Sequence, residues 1–175
     1  MITSTSNQQM KQVSLLLKKA KERKNTKTFV VEGPRMVAEA PVERLKAVYV
    51  AEAFESNKEN VSILKELKDK CDKAKAIYEV VADNVFKSVS DTQTPQGIMA
   101  VVAMPDYDLS ELLRGDNTHL LILESIQDPG NLGTMVRTGE GAGVTGIIMN
   151  KTTVDLFNPK TIRSTMGSIY RVPFL

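Results

Sequence analysis

The stretch QDPGNLGTMVRTGEGAG, residues 127–143, follows directly on the apolar run HLLILESI, residues 119–126. Near-continuous apolar residues over this length are typical of a strand in a parallel sheet that is buried on both faces. Pro, Gly and Asn then predict a turn, and a helix is expected over residues 131–142. Backbone N–H groups commonly meet a ligand at such a strand–turn–helix junction. The stretch therefore predicts an α/β fold with a candidate site at the sheet edge.

The residues of this turn have two interpretations. Asn131 is a natural N-cap for the helix, and Gly139, on the apolar face of that helix, indicates close helix packing. Turn and capping chemistry alone would account for Gly130, Asn131 and Gly133, and Arg137 could be an ordinary surface arginine. The pattern matches neither the GxGxxG fingerprint nor the P-loop, so neither class of nucleotide site is predicted.

The chain has 175 residues, of which 42% are hydrophobic and 25% are charged. It is long enough for one large or two small domains. Strand and helix patterns alternate on both sides of a turn-rich linker, residues 105–117. We expect an α/β sandwich over residues 1–105 and a Rossmann-like α/β unit over residues 106–175. Within the first part, a helix is expected over residues 10–23 and a strand over residues 45–54.

Several classes of protein are disfavoured by composition. Cys71 is the one cysteine and His119 the one histidine, so metal chemistry is not expected. His119 also has no evident nucleophilic partner in the sequence, which favours a structural role. No apolar run reaches membrane-spanning length and the opening residues lack the order of a secretory signal, so a cytoplasmic location is expected.

The charge is unevenly distributed. Residues 1–105 hold 17 Lys and Arg against 13 Asp and Glu, whereas residues 106–175 hold 6 against 8. The positive charge is densest in KKAKERKNTK, residues 18–27, called here the basic segment. It is either a solvated helix face or a surface for nucleic-acid phosphates. The candidate RNA contacts in it are Lys18, Lys19 and Lys24.

A family resemblance covers nearly the whole chain. ESIQDPGNLGTMVRTGEGAGVTGIIM and VDLFNPKTIRSTMGSIYRVPF closely resemble the first conserved region of the SpoU-type (TrmH-like) RNA 2′-O-ribose methyltransferases of the knotted SPOUT superfamily. Upstream, KKAKERKNTKTFVVEGPRMVAEA and TPQGIMAVVAMP are similar to the start and end of that family's small substrate-binding domain, which resembles ribosomal protein L30e. The resemblance implies an L30e-like RNA-binding domain followed by a partial SPOUT domain.

The resemblance also implies an activity: methyl transfer from S-adenosylmethionine to a ribose 2′-hydroxyl, with 23S rRNA as the expected target. It places Asn131 and Arg137 at the catalytic pocket, Arg137 also against the RNA, and Glu124 where an acidic residue is usual. A guanidinium keeps its proton, so we favour a clamping and charge-stabilising role for Arg137. The later RSxxG segment, residues 163–167, has a structural role or one near the substrate.

Two further family motifs, a Gly-Asn-Glu-Gly loop and a Ser-Leu-Asn segment, are not found in the sequence. In the family they form the knot, most of the cofactor pocket and the dimer face. We therefore expect the sequence to be a fragment of a protein that is a homodimer at full length, and we assign no cofactor-binding residues. An RNA-binding module without catalytic activity is the alternative.

Residues 1–175 alone are therefore expected neither to bind S-adenosylmethionine nor to methylate RNA. The terminal residues YRVPFL come where another strand should pair with the parallel sheet. Without further strands, we expect an unpaired sheet edge and uncovered apolar side chains. The side chains expected to be uncovered are Ile147, Ile148, Ile162 and Ile169.

Overall fold

A computed structural model describes residues 1–115 and 117–175 and shows two compact units. Unit 1 is Met1–Met104 and unit 2 is Pro105–Leu175. This division falls one residue before the boundary expected from the sequence. Asp116, which belongs to the expected linker, lies outside the described residues. None of the described helices combines the length and the apolar composition that crossing a membrane requires.

Unit 1 has the expected α/β composition. Its strands are β1 (Thr28–Glu32), β2 (Leu45–Ala51), β3 (Ile77–Val81) and β4 (Ile98–Ala103). Its helices are α1 (Gln8–Lys18), α2 (Ala20–Thr26), α3 (Pro34–Glu39), α4 (Glu52–Ser56), α5 (Val61–Ala74) and α6 (Asp83–Val89). The sheet order is β1-β4-β2-β3; β4 is antiparallel to both of its neighbours, and β2 is parallel to β3.

Helix α1 packs its apolar face on this sheet. The helix begins after Asn7, whose side-chain Oδ1 accepts the backbone N–H of Gln9 at 2.8 Å and so caps the first turn. Its buried residues recur at helical spacing, which brings them to one side: Met10, Val13, Leu16 and Leu17. They join Val30, Tyr49 and Met99 of the sheet in one apolar cluster.

The helix expected over residues 10–23 is in fact two helices, because Lys19 has an extended backbone (φ −124°, ψ 112°) between α1 and α2. Arg23, only 3% exposed, reaches back across this break. Its Nη1 donates to the carbonyl of Leu16 at 2.6 Å and to that of Leu17 at 3.3 Å. These carbonyls end α1 and need donors, so the break is stabilised by the second helix.

The strand expected over residues 45–54 ends three residues earlier. Ala51, the last residue of β2, donates its N–H at 2.8 Å to the carbonyl of Gly97, the residue before β4. The N–H of Ala53 then donates to the Asp83 carboxylate at 3.0 Å. That carboxylate stabilises the first turn of α4, which forms where the strand pattern predicted continued extension.

Unit 2 is built on parallel strands, as expected. Its elements are α7 (Leu109–Leu112), β5 (Leu120–Leu123), α8 (Pro129–Gly141), β6 (Gly146–Met149) and α9 (Pro159–Thr165). β5 and β6 are parallel, with Leu120 opposite Gly146. On the other side of β6, Phe174 lies parallel to Ile147 and the N–H of Leu175 donates to the Ile147 carbonyl at 2.9 Å. The terminal residues therefore pair where a further strand was predicted.

Burial in unit 2 differs from the prediction. The strand β5 is not buried on both faces, because Ile122 is 71% exposed. In contrast, Ile147, Ile162 and Ile169 are buried, so the expectation that they would be uncovered is wrong; Ile148 is half-buried. The physical reason is that α9, which holds Ile162, packs against α8, and that the 3-10 turn Ser168–Tyr170, which holds Ile169, contacts both helices. Ile147 is paired with the terminal residues at Phe174.

Candidate functional site

The loops that follow β5 and β6 are joined by hydrogen bonds. The side-chain Oδ1 of Asn150 accepts the backbone N–H of Ser125 at 3.0 Å, and the hydroxyls of Ser125 and Thr152 lie 2.7 Å apart. Gln127 donates from Nε2 to the Thr152 carbonyl at 2.8 Å. Ser125 has φ +54°, a left-handed conformation that these bonds help to hold. The loops therefore form a fixed platform from which α8 starts.

The cap of α8 is Asp128, and the prediction that Asn131 is the N-cap is wrong. Asp128 Oδ1 accepts the backbone N–H of Asn131 at 2.7 Å, and Pro129 is the first helical residue. Proline suits that position because its missing N–H would have no partner there. This bond, with a smaller contribution from Lys160 at 3.3 Å, lowers the pKa of the Asp128 carboxyl. The side chain of Asn131 is therefore not used for capping.

The two expected catalytic residues both lie on the exposed side of α8. Six residues separate Asn131 from Arg137, a rise of about 9 Å along the helix. They are therefore not in direct contact, and Thr134 lies midway between them. Within residues 1–115 and 117–175, neither the Asn131 amide nor the Arg137 guanidinium has a hydrogen bond or ion pair. Both groups are available to a ligand. Glu124 is also exposed, in the loop after β5.

The glycines of α8 allow close packing. Gly133 lies inside the helix rather than in the turn, and a Cβ there would come within 2.5 Å of the Thr161 carbonyl and of Ser164 Cβ. The close contact between α8 and α9 is therefore at Gly133. Gly139 faces β5 instead, where an added Cβ would lie 3.3 Å from Leu121. The sequence predicted close helix packing at Gly139, whereas the structure shows that Gly139 packs against a strand.

The RSxxG segment builds the end of α9. The hydroxyl of Ser164 donates to the Lys160 carbonyl at 2.9 Å, within the helix. Met166 and Gly167 then follow in left-handed conformations, with φ +51° and +95°. Arg163 is half-buried and has interactions within the chain. For Ser164 and Gly167, the geometry favours the structural interpretation.

In unit 1, the side chains of Lys18, Lys19 and Lys24 are exposed and make no hydrogen bond or ion pair in the part of the chain described. Arg23 is the exception in the basic segment, because it is buried against the end of α1. The three lysines form a cationic surface that an anionic partner can reach.

Comparison with protein families assigns both units. Residues 7–100 match the MRM3-like substrate binding domain, and residues 118–175 match the SpoU rRNA methylase family. The chain belongs to the SpoU rRNA methylase family. The resemblance given by the sequence motifs is confirmed. The SpoU region contains Asn131 and Arg137, and the MRM3-like region contains the basic segment.

Individual relatives agree with this family membership. The chain is 35% identical to the 23S rRNA (guanosine(2553)-2′-O)-methyltransferase RlmP of Bacillus subtilis, over 98% of the chain and 63% of the relative. It is 32% identical to the human mitochondrial rRNA methyltransferase 3, over 97% of the chain and 40% of the relative. An AdoMet-bound rRNA methyltransferase from Sinorhizobium meliloti superposes with a TM-score of 0.84 at 27% identity, over 99% of this chain and 62% of that one. The chain thus spans less than two thirds of each.

One interaction in the SpoU region was not predicted. The Glu140 carboxylate accepts the Ser168 hydroxyl at 2.5 Å and the Arg171 guanidinium through Nε and Nη2. The bonds from Arg171 contribute most to a lowered pKa of Glu140. They attach the turn after α9 to α8, one turn beyond Arg137. No spacing rule in the sequence indicates this contact, because 31 residues separate Glu140 from Arg171.

Among the described residues of this SpoU family member, no group of three or more His, Cys, Asp or Glu side chains is placed to hold a metal ion. The cavity of about 370 Å³ on unit 2 lies beside His119, Leu121 and Val144, at the amino ends of the strands. Ligands of open α/β sheets bind at the carboxyl ends. This apolar cavity is therefore at the wrong end for the candidate site.

Proposed function

We propose that this protein is an S-adenosylmethionine-dependent rRNA 2′-O-ribose methyltransferase, with 23S rRNA as its target class. The observation that carries the proposal is the exposed side of α8. The side chains of Arg137 and Asn131 are exposed there and have no partner among the described residues. Asp128 caps the helix and Gly133 makes its close contact with α9, so neither task falls to Arg137 or Asn131. The family and the names of the relatives supply the reaction class that such a helix would serve.

The chemistry available to Arg137 is electrostatic. A guanidinium does not release its proton at ordinary pH, so it cannot act as the base that deprotonates the ribose hydroxyl. Its planar fork can instead hold a phosphate or ribose oxygen through two N–H donors and stabilise negative charge that develops on the 2′-oxygen. The Asn131 amide, nearer the start of α8, can position the same RNA segment.

S-adenosylmethionine supplies an electrophilic methyl group on a sulfonium ion when it is bound. In the described chain, the polar groups at the carboxyl ends of β5 and β6 are largely bonded to one another: Ser125 to Asn150 and Thr152, and Gln127 to Thr152. They do not form a cradle for the cofactor, so no residue is assigned to holding it. We propose that this chain contributes to the methylation rate by aligning the RNA and by stabilising the negative charge that develops on its 2′-oxygen.

The RNA is proposed to dock on unit 1 through Lys18, Lys19 and Lys24, whose charge and exposure suit a phosphate backbone. We further propose a homodimer located in the cytoplasm.

The test is a methylation assay with the full-length gene product, 23S rRNA and S-adenosylmethionine labelled in the methyl group. The expected result is label in a single nucleoside that mass spectrometry identifies as ribose-methylated, with a phosphodiester that resists alkali. Label on a base would contradict the proposal. RNA binding without any methyl transfer would support the alternative, an RNA-binding module.

A further inference from the structure

The acidic residue of α8 is Glu140, three positions after Arg137. Residues three apart are neighbours on a helix surface, with Cβ atoms about 5–6 Å apart, and opposite charges at this spacing attract each other. The sequence of α8 alone therefore favours an ion pair between Arg137 and Glu140. That pair does not form: Glu140 bonds other groups, and Arg137 has no partner within the described ranges.

Both carboxylate oxygens of Glu140 are already occupied. Oε1 accepts Arg171 Nε, while Oε2 accepts Arg171 Nη2 at 3.0 Å and the Ser168 hydroxyl at 2.5 Å. Two N–H donors of one guanidinium thus meet the two oxygens of one carboxylate, which is the strongest common geometry for this pair of groups. The charge of Glu140 is therefore matched by Arg171 and not by Arg137.

The position of Glu140 in the helix makes a cationic partner necessary. Since α8 ends at Gly141, Glu140 lies in its last turn. The carboxyl end of a helix carries a partial negative charge, which disfavours an anion there and favours a cation. Arg171 brings a cation to this end. If Arg171 is removed, the cation of α8 that can replace it is Arg137, one turn back along the helix.

The backbone holds Arg171 in place on both sides. Before it, the 3-10 turn closes with the N–H of Arg171 donating to the Ser168 carbonyl at 3.0 Å. After it, the terminal residues pair with β6, since the N–H of Ile147 donates to the Pro173 carbonyl at 2.9 Å. Arg171 thus reaches Glu140 from a fixed segment, and the ion pair forms without the entropy cost of ordering a loop.

We propose that Arg171 is a positioning residue for methyl transfer: by occupying Glu140, it keeps the guanidinium of Arg137 free for the RNA. Without Arg171, Glu140 pairs with Arg137 and competes with the RNA for it. This inference rests on the role that the proposed function gives to Arg137, and it assigns the turn after α9 to the control of that residue.

The test is the methylation rate of the full-length gene product with 23S rRNA. Arg171→Ala should lower kcat/KM about fivefold, the upper range for an exposed ion pair that must be broken before Arg137 can bind RNA. Adding Glu140→Gln should return kcat/KM to within about twofold of the unaltered protein, because glutamine has the shape of glutamate without its charge. A merely structural contact predicts instead that the double variant is as slow as Arg171→Ala.

Two further variants complete this measurement. Arg171→Gln keeps part of the side chain but not its charge, and should behave like Arg171→Ala even if the larger truncation unfolds unit 2. The matched control is Arg114→Ala, an exposed arginine elsewhere in unit 2, which should leave kcat/KM unchanged.

A second readout does not depend on methylation. The Nε–H signal of Arg137 in the ¹⁵N NMR spectrum, identified by its absence from Arg137→Lys, should shift in Arg171→Ala and return when Glu140→Gln is added. An unmoved signal in Arg171→Ala, or a double variant as slow as Arg171→Ala, would overturn this inference and leave the proposed methyltransferase intact. If the unaltered protein methylates no RNA, the proposed function fails, and the NMR signal alone decides whether Arg171 keeps Arg137 free.

Discussion

The helices α2 and α8 each carry one arginine, and the two arginines have opposite surroundings. Arg23 on α2 is 3% exposed and donates to the carbonyls of Leu16 and Leu17. Arg137 on α8 is exposed and has no partner within the described ranges. The difference is that α1 ends beside α2 and presents carbonyls that need donors. A cation in a basic run can therefore be structural, whereas Arg137, in a unit with more acidic than basic residues, is exposed and available to a ligand.

The largest expected effect is on Arg137. Arg137→Ala in the full-length gene product should lower the methylation rate about a hundredfold or more, because the charge on the 2′-oxygen loses its stabilising partner. Thermal stability should stay unchanged, since the guanidinium has no partner in the described chain. Arg137→Lys should not restore the rate, because a point charge does not replace a planar fork. Arg114→Ala, another exposed arginine of unit 2, is the matched control. Near-normal turnover in Arg137→Lys would refute the clamp.

Arg23, in contrast to Arg137, is expected to contribute to the stability of the fold. Arg23→Ala should lower the free energy of unfolding by about 2 kcal/mol, because two carbonyls at the end of α1 lose a charged donor. Urea denaturation monitored by circular dichroism measures this change. Lys24→Ala, one residue along the same helix but exposed, should stay within about 0.5 kcal/mol of the unaltered chain. An equal loss of unfolding free energy in Arg23→Ala and Lys24→Ala would contradict a structural role for Arg23, and with it the contrast between Arg23 and Arg137.

The exposed lysines of the basic segment should affect RNA affinity without affecting stability. Reversing the charge of Lys18, Lys19 and Lys24 to glutamate should weaken binding of structured 23S rRNA fragments about tenfold at low salt, and should flatten the dependence of affinity on salt concentration. Filter binding at several salt concentrations measures both. Unaltered affinity in this triple variant would show that the basic segment is only a solvated surface.

The smallest effect concerns the cap of α8. Asp128→Ala should lower the melting temperature by about two to four degrees, whereas Asn131→Ala should leave it unchanged and lower methylation instead. The folded-state pKa of Asp128 is below its ordinary value, so its stabilising effect is complete above about pH 4 and is lost as the pH falls through the folded pKa. The melting difference should therefore shrink in acid. A loss of stability in Asn131→Ala at pH 7 would restore Asn131 as a cap.

Local sequence rules explain much of unit 2. The apolar run before residue 124 predicted β5, and turn residues followed by a helical apolar face predicted α8. Proline after a capping side chain recurs at Asn158, which accepts the N–H of Lys160 at 2.9 Å and starts α9. The same rule, applied to Pro129, points to Asp128 rather than Asn131, so this error was avoidable from the sequence.

The sequence by itself determined the strand–turn–helix order and the placement of Asn131 and Arg137 on one helix, because these depend on residues within a few positions of one another. It also determined the family, through motifs in both units. Only the tertiary structure decided that Arg23 is buried, that Gly133 meets Thr161 and that Glu140 holds Arg171. Each of these depends on which surfaces the folded chain brings together. Residue type and spacing do not specify such contacts, since the same side chain is stable in solvent or buried according to the groups that pack against it.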